Sequence, residues 1–298
     1  MKKWLWFNLL QDVINPYYHL HYMERVGKLK ITVLSDNFTS TIVPPLIGEW
    51  GFSAFIQADD VGILYDVGNS GLPLVHNAPY LGIDLKRDVD YIVLSHGHSD
   101  HTGGLGNDKL RELLRGKVVI AHPDIFEKKF LNWRGRIEYI GLPLSREEME
   151  SDFKLVLTRE PIEFTKGVVF AGEVKGYGFP RYNKGLLKAK DDKVVDDELL
   201  DDAPLYINTD KGLVIVTGCG HSGVLNIVRH SKEVTKEGKI HAIIGGLHLL
   251  SSPKEHVAQV LKELEGVADK IGPAHCSGFQ VRLSEKYIDA GVGRVFEV

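Results

Sequence analysis

Ser95-His96-Gly97-His98-Ser99-Asp100-His101-Thr102-Gly103-Gly104-Leu105 is the stretch on which the reading of this chain turns. It follows the apolar run Tyr91–Leu94 and precedes a helical pattern at Asn107–Leu114, so it reads as a strand-to-helix loop. Three imidazoles and one carboxylate fall within six residues. In an extended stretch, side chains at i and i+2 point the same way, so His96 and His98 can chelate one ion. The turn then sends Asp100 and His101 toward a second ion beside it. Gly103 and Gly104 are read as the places where the backbone bends tightly and a side chain would clash. This donor set implies one or two divalent metal ions, zinc foremost, with manganese, iron or magnesium as alternatives.

Outward from the loop, short β-like runs closed by Gly, Asp or Asn are predicted at Leu29–Leu34, Phe52–Ala58, Ile63–Val67 and Val118–Ala121. Later strands are predicted at Val168–Ala171, Leu205–Asn208, Gly212–Thr217, Ala242–Gly245 and Val295–Val298, with a hairpin at Thr209-Asp210-Lys211-Gly212. Helices are predicted at Asp124–Asn132, Val224–Lys236, Pro253–Leu264 and Phe279–Ala290. This order fits an α/β architecture, two sheets face to face with helices outside, in one layered domain over 28–298. Residues 1–27 read as an N-terminal arm packed on the body. The charged stretch near 184–202 reads as a solvated loop, with a flap over a pocket as the sharper alternative.

With 298 residues, 43% hydrophobic, 26% charged and a net charge of −4, the chain is an ordinary globular protein able to bury a core. That balance, with no basic run, argues against nucleic acid as a partner. No run approaches the roughly 20 apolar residues of a membrane span, and Trp4-Leu5-Trp6-Phe7 is too short for a leader, so a cytoplasmic location is expected. Two cysteines make no disulfide framework. The expected partner is a small-molecule substrate, and no pattern selects an oligomeric state.

His96-Gly97-His98-Ser99-Asp100-His101 resembles the H-x-H-x-D-H motif of the metallo-β-lactamase superfamily, and Gly51–Ile56 and Leu64–Gly68 resemble its opening strands. The resemblance implies a four-layer αββα sandwich and a one- or two-metal site that hydrolyses esters, amides or phosphoesters. Thr217-Gly218-Cys219-Gly220-His221-Ser222-Gly223, Gly245-Gly246-Leu247-His248-Leu249 and Pro273-Ala274-His275-Cys276-Ser277-Gly278 narrow it to the dihydropterin-synthase-like branch. That branch includes an archaeal enzyme of methanopterin biosynthesis that couples a pterin diphosphate to a ribofuranosyl-aminobenzene phosphate and releases pyrophosphate. By this resemblance His96 and His98 hold the first metal, with His221 as its third histidine. Asp100 and His101 hold the second, with His275. Most dinuclear members carry a bridging aspartate where this chain has Cys219. The cysteine reads either as a thiolate ligand or as a small buried residue, the commoner fate of a free thiol.

Other residues are assigned on their context. Asp66 is expected to orient a ligand from behind, because metal-bound imidazoles usually donate their other N–H to such a group. Asp100 is expected to orient the attacking water and accept its proton, and His248 to contact substrate or leaving group or to serve the fold. Arg181 is a candidate phosphate clamp and Phe179 a candidate ring-stacking residue. His122 is more consistent with capping than with ligation. Diiron relatives carry Glu at the second loop histidine, and position 98 here is His. A metal-dependent hydrolase or transferase of a phosphorylated or pterin-like small molecule is therefore expected. The alternatives are the methanopterin-type synthase and a non-catalytic metal-binding protein of the same fold.

Overall fold

The computed structural model describes residues 23–298, so most of the arm expected over 1–27, with Trp4, Trp6, Phe7, Tyr17 and Tyr18, lies outside the described residues. Strands β1 (Leu29–Ser35), β2 (Ser53–Ala58), β3 (Val61–Tyr65), β4 (Tyr91–Val93), β5 (Val118–Ala121), β8 (Lys154–Leu157) and β17 (Val295–Glu297) form one sheet in the order β17-β1-β2-β3-β4-β5-β8. A second sheet runs β16-β15-β14-β13-β10-β9. Its strands are β9 (Ile162–Thr165), β10 (Val168–Phe170), β13 (Leu205–Thr209), β14 (Gly212–Thr217), β15 (Ile240–Gly246) and β16 (Ala268–Ala274). Helices α1 (Leu72–Tyr80), α2 (Leu85–Asp88), α3 (Ser99–Thr102), α4 (Asp108–Leu114) and α5 (Arg146–Asp152) lie between strands of the first sheet in sequence, and α6 (Val224–Thr235) and α7 (Lys254–Val267) between strands of the second.

The layers follow from side-chain alternation. On β14, Val214 and Val216 join Ile31, Val33, Ile56 and Tyr65 of the first sheet in the core between the sheets. Ile215 points the other way and meets Ile227 of α6 and Val260 and Leu264 of α7. Leu64, Ile92 and Val119 likewise pack against Leu74, Leu110 and Met149 outside the first sheet. Both faces of these strands are covered, which explains their continuous apolar runs. The result is the expected αββα sandwich. No helix among the described residues is long and apolar enough to cross a membrane.

Three expectations fail for local reasons. Asp124–Asn132 is not a helix: Pro123–Phe126 makes one 3₁₀ turn, and β6 (Lys129–Trp133) pairs with β7 (Arg136–Tyr139). Arg134 and Gly135, both at positive φ, form the tight turn that closes this hairpin. Phe279–Ala290 is helical only as a 3₁₀ turn over Phe279–Leu283. The backbone then runs along β16, where Ile271 N donates to Lys286 O and Ile288 N to Ile271 O, both at 2.8 Å. The segment expected as a charged loop contains β11 (Leu186–Lys190) and β12 (Lys193–Asp196), turned at Asp191 and Asp192 and completing a four-stranded sheet β12-β11-β6-β7.

Part of that stretch's charge is internal, at Lys188, Asp197, Asp201 and Asp202. Lys129, with no exposed surface, donates to Asp197 Oδ2 at 2.8 Å and Asp201 Oδ1 at 2.9 Å. The second oxygen of Asp201 accepts from the backbone N–H of Gly97 at 2.7 Å. The small sheet thereby anchors the histidine loop. Removing one partner of a buried ionic group leaves uncompensated charge and costs about 3–5 kcal/mol. Lys129→Met is therefore expected to lower stability by about that amount in urea unfolding, whereas Arg146→Ala, which removes an exposed i,i+4 ion pair, leaves the midpoint nearly unchanged.

Candidate metal centre

The candidate side chains project from the carboxyl ends of parallel strands, where open α/β sheets place their sites. Asp66 follows β3, His96 and His98 follow β4, and Asp100 and His101 lie on α3. Cys219 and His221 follow β14, His248 follows β15 and His275 follows β16. Gly103 and Gly104 are required by close approach and not by a left-handed turn. A Cβ on Gly103 would lie 2.1 Å from Asn69 O, and one on Gly104 2.1 Å from Val67 O.

The imidazoles are held from behind. Ser95 Oγ donates to Asp66 Oδ2 at 2.7 Å and so accepts from His96 Nδ1 at 2.9 Å. His101 Nδ1 donates to the same Asp66 oxygen at 2.7 Å. His221 Nδ1 donates to Asn183 Oδ1 at 3.2 Å, and His275 Nδ1 to Asn37 Oδ1 at 3.1 Å. In all four rings Nδ1 is committed as donor; the Nε2 lone pairs of neutral His96 and His221 then face inward, while Nε2 of His101 lies 3.1 Å from Cys219 Sγ and Nε2 of His275 donates to Asp100 Oδ2 at 3.1 Å. His98 and His221 each bury an Nε2 with no hydrogen-bond partner. Such orphaned acceptors are costly in a dry interior unless something is bound there.

The inward atoms form joined groups. The ligand atoms of Asp100, His101, Cys219 and His275 lie within 4.8 Å of one another, as do those of His96, Cys219 and His221 and those of His96, His98 and Asp100. Cys219, 3% exposed, is common to the first two groups, and its Sγ lies 3.1 Å from His101 Nε2. Neutral imidazole, carboxylate and a thiol are a donor set that suits zinc, and the residues present fit a divalent metal. Burial, with neighbouring charged rings, holds His96 and His221 well below the ordinary histidine value. Burial also takes His98 down to about 3. These rings therefore stay neutral. Burial opposes the His101 cation too, but Asp66 and Asp100 outweigh it and raise the ring to about 9. Asp100 is buried, yet His101 and His275 hold its carboxyl far below the usual range.

The remaining candidates stand around this cluster. His248 packs ring to ring on His221 at 4.1 Å, and its ligand atom lies within 4.8 Å of those of Cys219 and Cys276. Phe179 lines a cleft beside His221 and His248. The Arg181 guanidinium is committed to Val174 O at 3.1 Å. His122 Nδ1 accepts from Asp124 N at 3.1 Å and caps the turn that follows it. Sequence reasoning did not single out Ser95, Asn37, Asn183 or Trp50, whose Nε1 donates to Asp100 Oδ2 at 3.1 Å. Only Ser95 carried a usable signal, its place beside the first histidine. The others reach the site from distant loops.

The profile of the metallo-beta-lactamase superfamily matches residues 51–230. The chain belongs to that superfamily. It is 31% identical over 270 residues, 86% of this chain and 90% of the relative, to 7,8-dihydropterin-6-methyl-4-(beta-D-ribofuranosyl)-aminobenzene-5'-phosphate synthase of Methanocaldococcus jannaschii. It is 32% identical to the uncharacterized protein MJ0448 of the same organism, over 90% of this chain and the whole of that relative. The crystal structure of Tm1679, described as a metal-dependent hydrolase of the beta-lactamase superfamily, superposes with a TM-score of 0.76 at 28% identity, covering 91% of this chain and 99% of that one.

The electrostatics set a sign for pH dependence in chelator-treated protein. Between about pH 3 and 6.5 the unfolded chain binds a proton that buried His98 refuses, so this ring's contribution to stability falls as pH drops through that window. His101 contributes in the opposite sense: its stabilisation is full below about 6.5 and is lost as pH rises through about 9. Ring-proton NMR titration of the metal-free protein is expected to keep His98 neutral down to about pH 3 and His101 charged to about pH 9. Titration of both near 6.5 would contradict this.

Proposed function

We propose that the cluster holds two divalent ions, zinc foremost, and that the chain is a metal-dependent hydrolase or transferase acting on a phosphorylated or pterin-like small molecule. The observation that carries this reading is the position of Cys219, whose sulfur is common to the His96–His221 group and the Asp100–His101–His275 group. As a thiolate it would offer a donor to both groups, at the position where most dinuclear members carry an aspartate. His96, His98 and His221 would hold one ion, and Asp100, His101 and His275 the other.

A bound divalent ion supplies Lewis-acid stabilisation of negative charge developing on oxygen. The chain's own residues do the rest. Asp66, through His101 and through Ser95 to His96, fixes ring tautomers and orientations. Asp100, ionised throughout the working range, presents an acceptor to a substrate or water O–H while Trp50 fixes its other side. His248 buries an Nδ1 with no partner beside the cluster, where it can hold or give a proton at a departing oxygen. The similarity to the archaeal synthase favours a second reading, in which a pterin's diphosphate is the group whose departure is stabilised and water is kept out.

Metal content per chain, measured on protein purified without chelator alongside turnover of bis(p-nitrophenyl) phosphate, tests the proposal. About two ions per chain are expected, with turnover falling at least about a hundredfold in His98→Ala. Tightly bound metal with no turnover on any phosphoester or pterin diphosphate would favour the non-catalytic alternative.

A further inference from the structure

Arg181, the arginine expected to clamp an anion, is committed to Val174 O at 3.1 Å. Another arginine is placed for that task. Arg282, in the 3₁₀ turn Phe279–Leu283, sets its Cζ 4.8 Å from the Phe38 ring centroid and 5.3 Å from that of Phe279. The two rings meet edge to face at 5.3 Å and are 42% and 64% exposed. Among the described residues Arg282 makes no hydrogen bond or ion pair. The aromatic rings hold the guanidinium, and its N–H donors remain free for a ligand.

This platform is tied to the metal cluster. Asp36 Oδ2 accepts from Phe38 N at 3.0 Å and its Oδ1 from His275 N at 2.6 Å, so one carboxylate joins the two backbones. Asn37, next to Phe38, accepts from His275 Nδ1 and donates to His275 O, both at 3.1 Å. Gly278, at φ 77°, turns the chain leaving His275 into Phe279. Trp50, 51% exposed, packs on the His275 ring with centroids 4.9 Å apart. The wall on the His275 side thus passes from ligands to open aromatic rings to a free cation. Large apolar rings left open beside a site mark a place where a ligand lies.

We infer that Arg282 is a specificity-determining residue: it binds a second oxyanion of the substrate, one that takes no part in the reaction, while the reacting group lies at the cluster. A guanidinium stacked on rings presents its N–H edge in a fixed plane, which matches the paired oxygens of a carboxylate or phosphate. One partly exposed cation adds little affinity by itself. Tethering the second anion to a group already held at the cluster raises its effective concentration, and the contact then selects among substrates. The inference rests on the metal reading for the first anion and goes beyond it in assigning the second.

Calorimetry on the metal-containing protein compares ω-phosphonocarboxylates of increasing chain length with alkylphosphonates of the same length. At one length the phosphonocarboxylate is expected to bind at least about fivefold more tightly. That gain disappears in Arg282→Ala and is partly kept in Arg282→Lys, which retains charge without the fork. Alkane-α,ω-bisphosphonates form a second arm: a gain with either anion supports the assignment, and the larger gain names the anion. The Nε–H resonance of Arg282, identified by its loss in Arg282→Lys, is expected to shift with the second anion and not with alkylphosphonates. No gain at any length, a gain that survives in Arg282→Ala, or an equal loss for both members of each pair in that variant would overturn the assignment. If no phosphonate binds at all, the metal reading fails; a shift of the Arg282 resonance with the phosphonocarboxylates would still uphold this inference, and its absence would overturn it.

Discussion

One buried carboxylate holds the two halves of the centre in register. Asp66, fully buried and at φ 55°, accepts from Ser95 N, Ser95 Oγ and His101 Nδ1, all at 2.7 Å. These contacts join the end of β3 to the loop after β4 and fix, directly or through Ser95, two of the imidazoles. A charge in this position is tolerated only because each lone pair in use meets a donor. The second sheet is shaped to meet it: a Cβ on Gly218 would lie 2.1 Å from Ser95 Oγ and 2.9 Å from Asp66 Oδ2. Glycine at 218 thus lets β14 approach closely enough for Cys219, the next residue, to reach both groups of ligands.

The sandwich was legible because its strands are buried on both faces and read as unbroken apolar runs, as in Gly212–Thr217. The histidine loop was legible because its ligands are local in sequence. What escaped the sequence depends on long-range contact. The charges of 184–202 read as solvated, yet Asp197 and Asp201 enclose Lys129, which lies 68 and 72 positions away from them. Phe279–Ala290 has a helical spacing of apolar residues, but pairing with β16 outweighs it beyond Leu283.

Cys219 shows the same limit at the centre itself. A lone cysteine carries no sign of whether it packs or ligates. Only the fold, by bringing β14 and α3 together, sets its sulfur 3.1 Å from His101 Nε2.

The central claim, that Cys219 joins the two halves of the centre as a thiolate, is tested most directly by the absorption spectrum of the cobalt(II)-substituted protein. A near-ultraviolet thiolate-to-cobalt charge-transfer band is expected in the wild-type chain, absent in Cys219→Ser and kept in Cys276→Ser. A spectrum with no such band, or one lost only in Cys276→Ser, would contradict it.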